Sequence, residues 1–181
     1  MTRDEGIRAN PDPERIAQLS PVFAEDGAVT AGNASQMSDG AAALLIADRA
    51  TAERLGLKPR ARIRAMAVAA ADPILQFTAI LPATRKALAM ADLQLDDVDR
   101  FEVNEAFACV PLIWQQEFGV GSDRLNVNGG SIAIGHPLGS TGARLMTDLL
   151  CELELSGRTY GLLTICEGGG MANATIIELI A

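Results

Sequence analysis

Residues 140–180 read STGARLMTDLLCELELSGRTYGLLTICEGGGMANATIIELI, and this stretch carries the strongest indication of fold. Leu145, Met146, Leu149, Leu150 and Leu153 fall on one stripe at helical spacing, and Ser140 or Thr141 can cap the helix they define. YGLLTIC and MANATIIELI are β-rich runs on either side of a glycine-rich link, EGGG, which predicts an antiparallel hairpin at the end of the chain.

Working back toward the N-terminus, RFEVN reads as a short strand. NEAFACVPLIWQQEFG reads as a helix capped by Asn104 and ended by Gly119. Pro111 lies several residues inside that helix and should kink or split it at a cost of ~3 kcal/mol. PATRKALAMA opens on Pro82, at a first-turn position where no N–H is missed. In ARIRAMAVAAA and the Arg60 before it, Arg60, Arg62 and Arg64 alternate with Ala61, Ile63 and Ala65, giving a strand with one wet face at its beginning. SQMSDGAAALLIADRATAERLG has Ser35, Ser38 and Asp39 as possible caps and Gly56 as a stop. Its body is apolar nearly all round, which predicts a central, buried helix. Residues 1–33, punctuated by Pro11, Pro13 and Pro21, read as a surface arm with one helical turn near residues 15–19. The resulting alternation predicts an α/β layer fold: a mainly parallel sheet, a buried helix and a terminal hairpin. The expected division is an arm, 1–33, and one domain, 34–181.

Composition bounds the function. The chain has 181 residues, 49% apolar and 21% charged, the balance of a globular protein rather than a disordered tail, a collagen-like rod or a disulfide-built miniprotein. A net charge of −8 argues against nucleic acid, whose phosphates call for a basic stripe. No apolar run reaches the ~20 residues of a membrane span. The polar start, MTRDEGIRANPDPER, is unlike a secretory signal. Three cysteines without paired spacing suit a reducing compartment, so a cytoplasmic location is expected. One histidine and three scattered cysteines form no metal-ligand pattern, and no GxGxxG follows a strand, so neither a bound metal nor a dinucleotide is expected.

Four segments are candidates for chemistry. GNAS, residues 32–35, combines small side chains with free N–H groups, and is equally an ordinary helix cap. NEAFA, residues 104–108, lies at a strand-to-helix junction, where Asn104 can cap the helix or present its amide to a ligand or water. NGGSIAIGHPLGSTGAR, residues 128–144, holds five glycines around the only histidine, His136, which Pro137 keeps extended. Such a constrained backbone can hold an imidazole in one place for proton transfer near neutral pH, against the alternative of a surface loop with an incidental histidine. Finally, Cys166 ends a β run and is followed by three glycines whose N–H groups can meet a substrate oxygen; the alternative is a buried, inert thiol before a loose turn. Cys109 and Cys151 fall in apolar helical patterns and read as packing residues.

Taken in order, DEGIR, VTAGNASQMSDGAAA, VNEAFA, NVNGGSIAIGHPLGSTGAR and CEGGG resemble the thiolase family, over essentially the whole chain. The ketoacyl synthases share the architecture but look less similar around GHPLGSTGAR. The resemblance implies the C-terminal half of a two-half αβαβα subunit. It implies an acyltransferase of fatty-acid or lipid β-oxidation that cleaves 3-ketoacyl-CoA with CoA, or runs the reverse Claisen condensation. It also implies no permanent cofactor, coenzyme A as substrate, and a homo- or hetero-oligomer. The nucleophilic cysteine of the family belongs to the N-terminal half, and neither Cys109 nor Cys151 has its context.

Carried onto this chain, the resemblance makes His136 the base for that thiol and a ligand of the thioester oxygen. Asn104 would hold the water that completes the first oxyanion site, and Cys166 would move a proton to and from the acetyl α-carbon. The N–H of Gly168 would serve the second oxyanion site. Ser35 would contact the pantetheine arm, with Ala34, Ala106 and Phe107 beside it as CoA-binding candidates. Glu167 departs from the apolar or small residue of many members, and an unpaired carboxylate there should raise the Cys166 pKa. The alternative to catalysis is a thiolase-like fragment acting only as a CoA-binding or assembly module.

Overall fold

The computed structural model describes residues 2–4 and 6–180; Met1, Glu5 of the DEGIR motif and Ala181 lie outside the described residues. Its strands are β1 (Ala61–Ala70), β2 (Arg100–Val103), β3 (Tyr160–Glu167) and β4 (Met171–Leu179). They form one sheet in the order β1-β4-β3-β2. β3 and β4 make the expected hairpin, in register from Tyr160↔Glu178 to Glu167↔Met171. β1 is antiparallel to β4, with an irregularity between Ile63 and Ala65, and only β2 and β3 run parallel. The sheet is therefore mixed rather than mainly parallel. The pairing responsible, Ala61↔Leu179 to Ala70↔Met171, joins segments far apart in the chain, and no local pattern reports it.

Helices cover both faces, giving an αβα layering. On one face lie α3 (Ile80–Ala91), led in by a 3-10 turn at Phe77–Ala79, and α4 (Cys109–Phe118). The core there is built largely from alanine: Ala65 and Ala67 of β1 and Ala172 and Ala174 of β4 join Ala83 and Ala87 of α3 in one buried cluster. Phe101, Trp114 and Ile80 supply its bulk, and the Trp114 indole N–H donates to Thr84 Oγ1 at 2.9 Å. On the other face α6 (Thr141–Ser156) packs Leu145, Leu149 and Leu153 on Leu163 and Ile177. Neighbouring residues thus point to opposite, equally buried faces, Leu162 and Ile176 toward α3 and Leu163 and Ile177 toward α6. That is why the strands read as unbroken apolar runs.

The contact of α6 with β3 depends on Gly161, where a Cβ would lie 2.8 Å from the Leu149 side chain. We expect Gly161→Ala to destabilise the chain by about 1–3 kcal/mol through overpacking. Denaturant unfolding checks this, and an unchanged midpoint would mean that α6 shifts freely over the strand.

The α6 layer is incomplete. Met66 and Val68 alternate with the buried Ala65 and Ala67, so they point to the α6 side of the sheet, yet they are 64% and 61% exposed. The start of β1 was expected to be the wet part; its apolar outer positions are wet as well.

Three local expectations are corrected. The long buried helix over residues 35–56 does not form: residues 40–48 are exposed and carry no helix, and only α2 (Arg49–Arg54) is helical, capped by Asp48, whose carboxylate accepts from Thr51 N at 3.0 Å. A continuous apolar run fits a fully buried strand as well as a helix, and periodicity cannot separate them. Second, α4 starts at Cys109, so Pro111 falls in its first turn and needs no kink, and Asn104 is not its cap. Third, Ser140 takes the N-cap position of α6 without a side-chain capping bond, while Thr141 uses its hydroxyl elsewhere. The arm does contain one short helix, α1 (Pro13–Ala17), capped by Asp12.

Candidate active site

Parallel pairing of β2 with β3 brings two of the candidate segments to the same end of the sheet. Beyond β2, Asn104 N donates to Thr164 O at 3.0 Å, so NEAFA leaves the sheet two residues short of the level of Cys166. The NGGS segment is pinned beneath it. Glu105 accepts from Ile132 N at 3.1 Å and from Asn126 Nδ2 at 3.1 Å, and a Cβ on Gly130 would strike the Glu105 carboxylate. A short helix, α5 (Ser131–Ile134), then turns the chain into GHP. Gly135 has φ +92°, and a Cβ there would meet Ser38 Oγ at 2.1 Å, so this position requires glycine.

These constraints bring His136 and Asn104 together. The imidazole Nε2 is 3.3 Å from Asn104 Nδ2, and Nδ1 is 2.7 Å from Thr141 Oγ1. Thr141 spends its single hydroxyl proton on Pro137 O at 3.0 Å. Its oxygen therefore accepts from His136, which puts the ring proton on Nδ1 and leaves Nε2 as a lone pair facing the Asn104 amide. Burial holds the imidazole pKa below its ordinary value, and the Arg144 charge adds to the effect. The ring is thus a neutral base, oriented from both ends.

Asn104 is itself buried, and its Oδ1 accepts from Ser131 Oγ at 2.7 Å. Neither Ser131 nor Arg144 stands out in the sequence, where one lies in a glycine-rich loop and the other on a helix. Glu102 was missed as well. It is a carboxylate on a buried strand, 3% exposed, and burial pushes its pKa up to about 8. The alternation Phe101, Glu102, Val103 in a short strand was the available signal, since Glu is seldom buried unpaired.

Cys166 is the penultimate residue of β3, opposite Ala172 and half-buried against the alanine-rich core. Its pKa is pushed up to about 11, chiefly by burial; a backbone hydrogen bond opposes this, and Cys109 and Glu167 add smaller upward contributions. Glu167 itself accepts from Asn173 Nδ2 at 2.7 Å. No hydrogen bond joins Cys166 to His136 among the described residues; what links them is the sheet end, where Asn104, beside the imidazole, donates to Thr164 O two residues before Cys166. Gly168 lies exposed in the hairpin turn, with open space around it. Cys109 proves exposed at the start of α4 rather than packed inside a helix, and Cys151 is half-buried, 3.7 Å from Arg60 Nη2.

The GNAS segment threads between the other two. Ser35 donates from both N and Oγ to Ala106 O at 3.0 Å, Ala34 bridges Phe107, and His136 N donates to Gln36 O at 2.8 Å. The ring of Phe107 packs on Phe23 and Phe77, with centroids at 5.8 and 5.4 Å. Ser35, Ala34, Ala106 and Phe107 are therefore neighbours, one strip from the imidazole.

The family model described as the thiolase C-terminal domain matches residues 57–179, and that of the thiolase N-terminal domain matches residues 1–50. The chain belongs to the thiolase family. It is 51% identical over 175 residues to a steroid 3-ketoacyl-CoA thiolase of Mycobacterium tuberculosis, covering 97% of this chain and 42% of that protein. It is 46% identical over 178 residues to the acetyl-CoA acetyltransferase of Escherichia coli, covering 98% of this chain and 45% of that one. Among solved structures, the Bacillus anthracis acetyl-CoA acetyltransferase superposes with a TM-score of 0.92 at 42% identity, over 98% of this chain and 45% of that one. A human mitochondrial 3-ketoacyl-CoA thiolase in complex with CoA superposes at 0.90 and 38% identity, over all of this chain and 46% of that one. This thiolase chain spans a little under half the length of the relatives it matches. The two family models meet at α2 and the turn after it, so the exposed residues 40–48 fall within the stretch matched as N-terminal domain. No helix among the described residues is long and apolar enough to cross a membrane.

Proposed function

We propose that this chain forms the C-terminal half of a thiolase active site, and that with the N-terminal half of the fold it carries out acyl transfer between 3-ketoacyl-CoA and CoA. The observation that carries the reading is the His136 imidazole, with Nδ1 2.7 Å from Thr141 Oγ1 and Nε2 3.3 Å from Asn104 Nδ2, an arrangement that favours the proton on Nδ1 and a basic Nε2. In cleavage, Nε2 takes the proton of the nucleophilic cysteine of the other half. The resulting thiolate adds to the ketone carbon of the substrate. As the bond between that carbon and the α-carbon breaks, the acetyl-CoA enolate takes the Cys166 Sγ proton, and the acyl group stays on the nucleophile as a thioester. Free CoA then attacks that thioester and leaves as the shortened acyl-CoA, its thiol proton returning to the enzyme's bases. A thiol held well above its ordinary pKa stays protonated at neutral pH, which suits Cys166 to this donation. Asn104 would hold the water of one oxyanion site and Gly168 N–H would serve the other, each donor worth ~3–4 kcal/mol in the transition state.

CoA would lie along the GNAS–AFA strip. The Ser35 hydroxyl gives its proton to Ala106, so its oxygen remains an acceptor for a pantetheine amide, with Ala34, Ala106 and Phe107 forming the wall. Residues 34–181 work as one unit in this reading, because 34–37 are laddered onto both NEAFA and GHP, and 1–33 form an arm. The N-terminal half would cover Met66, Val68 and the outer side of α6, and would pair with the apolar residues 41–46, where Leu45 is 85% exposed. Exposed apolar area of this kind marks a surface of association, so the assembled enzyme is an oligomer of halves or of whole subunits. A reducing, cytoplasmic location fits the free cysteines, and a β-oxidation-type role fits the cleavage of 3-ketoacyl-CoA.

The test is acetoacetyl-CoA thiolysis by this chain alone and after co-expression with the N-terminal half of the Mycobacterium tuberculosis relative. Turnover in the pair and none in the chain alone is expected. A pair that copurifies but never turns over would make the chain a CoA-binding or assembly module, and turnover by the chain alone would remove the need for a second half.

A further inference from the structure

Asn104 can face the imidazole with either end of its amide, and only one end suits a base. If Oδ1 faced the ring, it would call for a proton on Nε2 and close the lone pair the reaction needs. Two residues outside the candidate segments decide between these. Arg144, on α6, donates from Nη2 to Ser131 Oγ at 3.1 Å and from Nη1 to Asp148 at 2.8 Å. Guanidinium nitrogens only donate, so the Ser131 oxygen accepts there, which leaves its own proton for Asn104 Oδ1, 2.7 Å away. With Oδ1 engaged, Nδ2 is the end left for His136. Donors and acceptors then agree in sequence from Arg144 through Ser131 and Asn104 to Nε2, and from Nδ1 through Thr141 to Pro137 O.

We propose that Ser131 and Arg144 are positioning residues, which hold the Asn104 amide so that its N–H faces the imidazole and keeps Nε2 as proton acceptor. That the acceptor serves thiolysis rests on the function proposed above; the orientation itself does not. Ser131 is fully buried, so bulk water offers its hydroxyl no substitute for the bond to Asn104 Oδ1.

The chain has one histidine, so a histidine ring labelled with nitrogen-15 gives a single pair of signals whose shifts report which nitrogen carries the proton. At pH values where the ring is neutral, the unmodified chain should show the Nδ1–H form. Ser131→Ala and, independently, Arg144→Gln should lower the ratio of Nδ1–H to Nε2–H by about fivefold, the effect of one hydrogen bond. Thr141 would keep part of the bias. Asp148→Asn removes a neighbouring charge but leaves the Nη2–Ser131 bond, and should leave the ratio unchanged. A ratio untouched in Ser131→Ala and Arg144→Gln, with the backbone spectrum of a folded chain, overturns the proposal, as does an equal change in Asp148→Asn. Because the readout needs no turnover, a pair inactive in thiolysis would count against the proposed function while leaving this result standing.

Discussion

Replacing His136 by Asn in the assembled enzyme lowers kcat for acetoacetyl-CoA thiolysis by a factor of about 10²–10⁴, the usual contribution of a positioned general base. No other imidazole exists in the chain to substitute for it. The asparagine retains polarity and approximate size, so the loops held by His136 N and Gln36 O should persist, and circular dichroism of the variant should match the parent. The pH dependence makes the expectation sharper. A base acts when deprotonated, and burial with the Arg144 charge keeps this imidazole below its ordinary 6.5. Activity should therefore hold as pH falls past 6.5, and the acid limb of kcat/KM should have its midpoint lower than that. An acid limb at or above 6.5, or a variant within a few-fold of the parent, would remove His136 from the chemistry.

The parts of this fold that were legible in the sequence are the parts fixed by neighbours in the chain. The stripe Leu145, Leu149, Leu153 is a helix because those residues face one surface, and Leu163 and Ile177 provide it. The EGGG turn folds β3 back on β4, with Gly169 and Gly170 at positive φ. What was not legible depends on distant partners. The insertion of β4 between β1 and β3 makes the sheet mixed, and nothing within either strand specifies it. Residues 41–47 are apolar without a break, yet they are exposed and carry no helix; the helix reading took continuous apolarity for a helical environment, which periodicity alone cannot distinguish.

The site divides in the same way. His136 was conspicuous because five glycines surround it, and the structure accounts for two of them: Gly135 by its φ and its closeness to Ser38, Gly130 by Glu105. Asn104 was left between a cap and a site residue, and the start of α4 five residues later removes the cap. Ser131, Thr141 and Arg144 carry no signal of their own, since each is an unremarkable polar residue until the fold sets it within hydrogen-bond reach of another.

Glu102→Gln is expected to make the chain more stable than the parent at pH 8 and about equal to it at pH 4.5. Glu102 opens on a cleft of about 250 Å³ lined by Asn128, Arg144, Asp148, Cys151 and Glu152. Burial is the main cause that raises its pKa from 4.5 to about 8; the Asp148 charge adds to it, Arg144 opposes it, and Glu105 and Glu152 add less. Between those values the folded chain keeps a proton that the unfolded chain has released. Stability from this group is therefore complete below 4.5 and is lost as pH rises toward 8, where a buried carboxylate must be carried. At 1.36 kcal/mol per pH unit the loss amounts to a few kcal/mol, a large fraction of a domain's total. Other groups titrate oppositely: Glu152 and Glu178, held low by arginine hydrogen bonds, lose stability as pH falls. They are common to parent and variant, so the difference between the two unfolding curves isolates Glu102. Urea midpoints at pH 5 and pH 8 read it directly. The midpoint of the parent should fall relative to that of Glu102→Gln across this interval, and curves that stay parallel would mean that the carboxyl is ionised at neutral pH, paired with Arg144 across the cleft.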